Sequence, residues 1–207
     1  KNWYLYSSLF SLLGMIFLVF SFSGQLLLSL MIPIIISIFY IFPLFPGNRR
    51  LRDYNFVKII LISTVWTLLT VTIPWLNYSM HQLGELGILS LERFFFIFAI
   101  AIPFDFRDMR IDATTKTQTI VSRFGRNSSF RISLLSLIIS LIFDSILHFI
   151  WLSTGMTEFL IITLSFILIG IILYRGFYIE KEPYHSLVVN GTMIILYLTA
   201  LIAREML

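Results

Sequence analysis

The chain has 207 residues, of which 58% are hydrophobic and 13% are charged, and its formal net charge is +4. Soluble domains usually carry about 25% charged residues, so this composition excludes an ordinary soluble enzyme and favours an integral membrane protein. The chain has no cysteine, which excludes disulfides, thiolate nucleophiles and cysteine metal sites. Its basic residues lie between apolar runs, as topology signals do, so we predict no nucleic-acid partner.

Seven apolar segments follow one another along almost the whole chain. Each is close to the length of about 20 residues with which a helix crosses a bilayer. Helices are expected because an open strand edge would leave backbone groups unpaired in lipid. We therefore predict one all-α, polytopic transmembrane domain over residues 1–207. Its predicted spans are residues 3–22, 25–45, 56–75, 86–104, 130–152, 159–174 and 184–203.

The segments between these spans alternate in charge. Basic residues concentrate in segment 46–55, in segment 105–129 and after the sixth span, whereas the intervening connections have none. Lys and Arg mark cytoplasmic loops, so we predict that 46–55 and 105–129 are cytoplasmic loops. The expected location is a bacterial inner (cytoplasmic) membrane.

Three carboxylates stand together immediately after the fourth span. Asp105, Asp108 and Asp112 are spaced i, i+3 and i+7, which places them on one helix face. Three carboxylates on one face repel one another unless a cation neutralises them. Mg²⁺ suits this role because it prefers oxygen ligands and commonly bridges carboxylates to phosphates. The alternative is a solvated loop in which Asp and Arg pair locally. Pro103 is predicted to break the helix just before the acids.

Basic residues flank the acids and complete a patch of mixed charge. Acids that hold a metal, beside bases that take the remaining phosphate charge, suit a polyphosphate ligand. The patch begins directly at the end of a span, where a site can open toward lipid. The predicted phosphate-binding residues of this segment are Arg107, Arg110 and Lys116.

Two stretches resemble a known family. D-F-R-D-M-R-I-D (105–112), followed by T-I-V (119–121) and Gly125, is similar to the second signature of the UbiA superfamily of intramembrane prenyltransferases. The stretch YIFPLFPGNRRLRDYNFVK (40–58) resembles that family's basic cytoplasmic segment. Members are all-helical, typically with nine spans, bind magnesium diphosphate and transfer a polyprenyl group to an aromatic or other acceptor.

The resemblance implies roles for residues in both stretches. Asp105, Asp108 and Asp112 would coordinate Mg²⁺ bound to a prenyl diphosphate. The other expected partners are a lipophilic acceptor and membrane lipid. The metal and nearby bases would stabilise the departing diphosphate. No side chain is assigned as a catalytic acid, base or nucleophile. The bases that the resemblance adds are Arg50, Arg52 and Lys58.

The chain also departs from the family pattern. The family's second signature follows its sixth span, whereas here it follows the fourth, so we expect the first two spans and the first Asp-rich signature to be missing. Many members have Lys where Phe104 stands, and members often have an acid where Asn190 precedes Gly191. We therefore expect this chain alone to be inactive.

Two alternative functions remain open at the level of sequence. One is a non-catalytic UbiA-like protein that binds a prenylated lipid without turnover. The other is a membrane transporter, in which Asp144 and His148 pair at i, i+4 on the fifth span and act as a relay.

Overall fold

In this computed structural model, the described part of the chain excludes several short segments and most of the first 22 residues. It comprises residues 6, 8–11, 14, 23–78, 83–114, 118–152, 155–179 and 181–205. For some of these residues the structure describes the backbone but not the side chain, namely residues 78, 110–114, 151–152 and 203–205. The first predicted span, 3–22, therefore falls largely outside the described residues.

The described chain is an all-α polytopic bundle. Six of its helical segments are long and apolar enough to cross a membrane. In chain order the helices are α1 (Gly24–Ile41), α2 (Val57–Thr67), α3 (Ile73–Tyr78), α4 (Leu83–Thr114), α5 (Ile120–Ile146), α6 (Met156–Gly176) and α7 (Asn190–Glu205). The π-helical turn Leu68–Thr72 joins α2 to α3, Leu147–Leu152 extends α5, and Tyr184–Val189 precedes α7. Outside helices, the described residues form only the isolated bridge between Phe45 and Arg49.

The centre of the bundle is the packing of α4 against α5 and α6. Phe96 of α4, Leu137 of α5 and Ile169 of α6 belong to one buried apolar cluster. Serine hydroxyls join the helices within it: Ser133 Oγ donates to the Ala99 carbonyl at 2.7 Å. Small hydroxyl residues allow close helix approach and add hydrogen bonds in lipid, where apolar burial alone favours no particular pairing.

The predicted helix break at Pro103 is wrong. Helix α4 continues through Pro103 to Thr114, so the segment predicted as a loop from residue 105 is helical over its first ten residues, and α5 begins at Ile120. Pro103 is buried, and a Cβ placed on Gly176 of α6 would lie only 3.4 Å from its ring. A proline removes one backbone donor, and close packing of neighbouring helices holds such a helix together in a membrane. The three acids therefore belong to the α4 helix.

The T-I-V stretch (119–121) and Gly125 lie at the N-terminal end of α5. The Thr119 hydroxyl accepts from the Ser122 backbone, and the Ser122 hydroxyl accepts from the Thr119 backbone, which closes a capping box. Gly125 then interrupts the helix with φ 76° and ψ 170°. This conformation is essentially restricted to glycine, and Ser129 Oγ holds the Gly125 carbonyl at 2.7 Å.

We predict that Gly125→Ala lowers the free energy of unfolding by about 1–3 kcal/mol, because alanine is strained at this φ. The measurement is thermal or denaturant unfolding in detergent. Gly87→Ala is the control: Gly87 is exposed on α4 with open space around its Cα, so this variant should be neutral or slightly stabilising. Equal stability of the two variants would contradict the strain at Gly125.

Candidate functional site

An ion-pair cluster joins the start of α2 to the later part of α4. The Lys58 ammonium lies 3.1 Å from Asp105 Oδ1 and 3.6 Å from Asp108 Oδ2. Asp105 is almost fully enclosed, with 2% of its side chain exposed, and Lys58 is largely buried at 17%. One ammonium therefore bridges two carboxylates that lie one helical turn apart.

Arg107 completes the cluster from the adjacent position of α4. Its Nε donates to Asp108 Oδ1 at 2.7 Å, and its guanidinium lies over the Phe104 ring, 5.1 Å from the centroid. Lys58 thus brings an ammonium to Asp105 from another helix. Over the described side chains, the cluster has two acids and two bases, whose formal charges cancel.

The cluster lines one end of a cavity inside the bundle. The cavity has a volume of about 450 Å³, within the range of about 300–1,000 Å³ that is usual for ligand pockets. Most of its wall is apolar or aromatic, and the charged groups are confined to one part of it. Its lining is Tyr40, Lys58, Ile62, Trp66, Ile97, Ile100, Ala101, Phe104, Asp105, Arg107, Asp108, Asn190 and Met193.

A smaller groove adjoins this cavity between α1 and α2. The groove has a volume of about 160 Å³ and shares the wall residues Tyr40, Ile62 and Trp66 with the cavity. Trp66 is 45% exposed on the outer surface of the bundle. The apolar wall is therefore continuous from the charged cluster to a face that would contact lipid.

The two arginines predicted in segment 46–55 are held outside the cavity lining. Arg50 donates to Asp53 through Nε and Nη2, both at 3.1 Å, and its backbone N–H donates to Asp53 Oδ2 at 2.8 Å. Arg52 lies over the Tyr40 ring, with its Cζ 5.7 Å from the centroid. Since Tyr40 is a cavity wall, Arg52 lies beside the site, whereas Arg50 is engaged within its own turn.

Three predicted site residues have side chains outside the described part of the chain. They are Arg110, Asp112 and Lys116. The α4 backbone is helical through Thr114, so the i, i+3, i+7 spacing that places Asp112 on the face of Asp105 and Asp108 holds at the level of the backbone.

The described residues fit a magnesium ion that also takes oxygen atoms from a phosphate. Mg²⁺ is usually held by one or two carboxylates together with substrate phosphates, and the ammonium of Lys58 marks a position where one cation contacts both Asp105 and Asp108. Among the described residues, no group of three or more His, Asp or Glu side chains could hold a metal ion. Asp105 and Asp108 are therefore the two carboxylates that the described residues offer to such an ion.

Sequence reasoning missed several walls of the cavity. These residues come from three different helical segments and are Tyr40, Trp66, Asn190 and Met193. Tyr40 opens the stretch 40–58 quoted for the resemblance and Asn190 was noted there as a departure, but no local pattern marks any of the four as a cavity wall. The Asp53 partner of Arg50 was also missed, although the spacing i, i+3 in a tight turn is a usable signal.

The predicted pairing of Asp144 with His148 is wrong. His148 Nε2 lies 3.8 Å from Glu158 Oε2 and 3.5 Å from the Gly155 carbonyl oxygen. Asp144 Oδ2 has no hydrogen-bond partner among the described residues. The helix changes from α-helical to π-helical at Leu147, which alters the angular relation that the i, i+4 spacing assumes.

Comparisons of the chain with protein-family models, with curated proteins and with solved structures found no match.

We predict that Lys58→Met lowers the free energy of unfolding by about 3 kcal/mol, because it removes a cation that lies 3.1 Å from the buried Asp105 carboxylate. The double variant Lys58→Met/Asp105→Asn should recover most of this loss. The exposed Lys181 supplies the control: Lys181→Met should change stability by less than about 0.5 kcal/mol. Denaturant titration in detergent measures all three, and equal losses in the single and double variants would contradict the pairing.

The Arg50–Asp53 turn should depend on pH. Burial tends to raise the pKa of Asp53, but hydrogen bonds from Arg50 and the charges of Arg50 and Arg52 outweigh it, so this pKa lies below its usual value of 3.8. A lowered pKa contributes stability that is present above the unfolded-state pKa and is lost as pH falls through the folded-state pKa. The stability difference between the wild type and Asp53→Asn should therefore be constant from neutral pH to about pH 5 and shrink as pH falls below the unfolded-state pKa toward the lowered folded-state pKa. A difference that grows as pH falls would contradict this.

Proposed function

We propose that the protein is a UbiA-like intramembrane prenyltransferase that moves a polyprenyl group from a prenyl diphosphate to an aromatic or other lipid acceptor, with Mg²⁺. One observation carries the proposal: the same cavity has a neutral cluster of acids and bases at one part of its wall and apolar or aromatic side chains along the rest. That division matches a substrate with a polyphosphate head and a hydrocarbon tail.

The charged part of the cavity is suited to the head of such a substrate. Asp105 and Asp108 would hold the magnesium ion, with Asp112 as the third acid of the same helix face. Bound Mg²⁺ would neutralise charge that grows on the departing diphosphate. Lys58 and Arg107 line the same wall, so both cations can contact phosphate oxygens, and Arg107 is already oriented by Asp108 and Phe104.

The apolar part is suited to the tail. Ile97, Ile100 and Met193 provide hydrocarbon contacts, and the rings of Tyr40 and Trp66 continue into the groove between α1 and α2. A tail could thus enter sideways from the bilayer without crossing water. Aromatic ring faces attract positive charge, so these walls suit the allylic cation formed when the diphosphate leaves.

The proposal includes the orientation of the molecule. The charged end of the cavity would face the cytoplasm of a bacterium, where Mg²⁺ is present and the diphosphate head of a membrane-embedded substrate would be accessible. The alternating distribution of Arg and Lys between the spans supports this orientation.

The test measures binding and turnover separately. We expect the wild-type chain in lipid nanodiscs to bind geranylgeranyl diphosphate in the presence of Mg²⁺. Asp108→Asn should weaken that binding about 10- to 100-fold, because it removes one of the carboxylates that would hold the metal. Glu85→Gln, at the other end of α4, is the control and should bind as the wild type does.

Release of inorganic diphosphate with added phenolic acceptors then separates the two UbiA-like alternatives. Release indicates a transferase and overturns the expectation that this chain alone is inactive. Binding without release supports a non-catalytic prenyl-lipid-binding protein only if a chain extended by two spans and a first Asp-rich signature also releases no diphosphate. If the wild type does not bind prenyl diphosphate, or if Asp108→Asn binds it unchanged, the proposal is wrong.

A further inference from the structure

The position of Lys58 has a consequence for how the site fills. Its ammonium contacts Asp105 and Asp108 together, at 3.1 and 3.6 Å, and Asp108 also accepts from Arg107 at 2.7 Å. The charges of these two carboxylates are therefore matched by those of Lys58 and Arg107. Counted over these four described side chains, the site presents no net charge of either sign to a metal ion or an anion that enters alone.

A divalent metal that enters alone must displace the ammonium from both carboxylates. Lys58 is only 17% exposed and lies against the 2% exposed Asp105, so a displaced ammonium would lose two charge-assisted contacts at a site with little water to replace them. A diphosphate that enters alone brings several negative charges close to Asp105 and Asp108. Each ligand alone is therefore disfavoured by a charge already in place.

The two ligands together remove both obstacles. The metal replaces the ammonium at the carboxylates, and the released ammonium contacts the phosphate oxygens. Lysine suits this exchange because its ammonium is a compact charge with three rotatable donors on a flexible stem. Arg107 lacks that freedom, since its planar group is held by Asp108 and packed on Phe104.

We propose that Lys58 is an internal counter-ion that couples metal binding to diphosphate binding, so that the site takes divalent metal tightly only together with a diphosphate. The proposal deepens the proposed function, on which it rests for the choice of anion. Coupling of this kind is reciprocal: diphosphate must strengthen metal binding by the same factor by which metal strengthens diphosphate binding.

The experiment is equilibrium dialysis of the full chain in nanodiscs with radiolabelled Mn²⁺ and radiolabelled inorganic diphosphate, each alone and both together. For the wild type we expect each ligand to strengthen binding of the other by about tenfold or more. Asp105→Asn/Asp108→Asn should abolish the mutual enhancement, which confirms that the carboxylates are the metal ligands.

Lys58→Gln tests the residue itself. It keeps a hydrogen-bond donor but removes the charge, so Mn²⁺ alone should bind about tenfold or more tightly than it does to the wild type, and the enhancement by diphosphate should shrink accordingly. Mn²⁺ alone should also raise the melting temperature of Lys58→Gln but not that of the wild type. Lys181→Gln, an exposed lysine replaced in the same way, should behave as the wild type.

The proposal is overturned if the wild type binds Mn²⁺ equally with and without diphosphate, or if Lys58→Gln binds Mn²⁺ alone no more tightly than the wild type. Should Lys58→Gln not fold without metal, refolding it with and without Mn²⁺ decides the matter: recovery in Mn²⁺ supports the proposal, and no recovery overturns it. The proposed function can fail independently of this proposal. If the chain shows the coupling with inorganic diphosphate but does not bind prenyl diphosphate, the role of Lys58 stands and the prenyl substrate is refuted.

Discussion

The contact between Lys58 and the carboxylates of Asp105 and Asp108 is the interaction on which the site depends. A carboxylate enclosed in an apolar bundle is strongly destabilising unless a cation and hydrogen bonds compensate it. Asp105 obtains that cation from the start of α2, so the electrostatic requirement also joins α2 to α4. The Lys58–Asp105 contact also forms part of the cavity wall, which Tyr40, Trp66 and Met193 continue. The same ion pair therefore joins two helices of the fold and forms part of the candidate site.

A second set of buried polar groups lies at the other end of the bundle. Glu92 on α4 accepts from Ser140 of α5 and lies 3.5 Å from Arg93, while His148 lies beside Glu158. Between this end and Asp105, residues 94–104 of α4 are all apolar. The buried charges of this end therefore contact one another and the helix packed against α4.

Local sequence was sufficient for some features of the fold and the site. The apolar runs predicted membrane-spanning helices, because burial in lipid requires apolar side chains on every face and internal backbone hydrogen bonds. The spacing of Asp105, Asp108 and Asp112 predicted one helix face, and the α4 backbone is helical across all three. Where local rules failed, packing was the reason: Pro103 does not end α4 because neighbouring helices enclose it, and a π-helical turn separates Asp144 from His148.

The sequence by itself determined that this is a helical membrane protein with its acids grouped after one apolar run, since hydropathy and helical period are properties of neighbouring residues. Only the tertiary structure decided that Lys58 of α2 bridges Asp105 and Asp108, and that the cavity beside them is walled by Tyr40 and Met193. These residues are separated by tens of positions along the chain. Their contact depends on how whole helices pack, which no local pattern encodes.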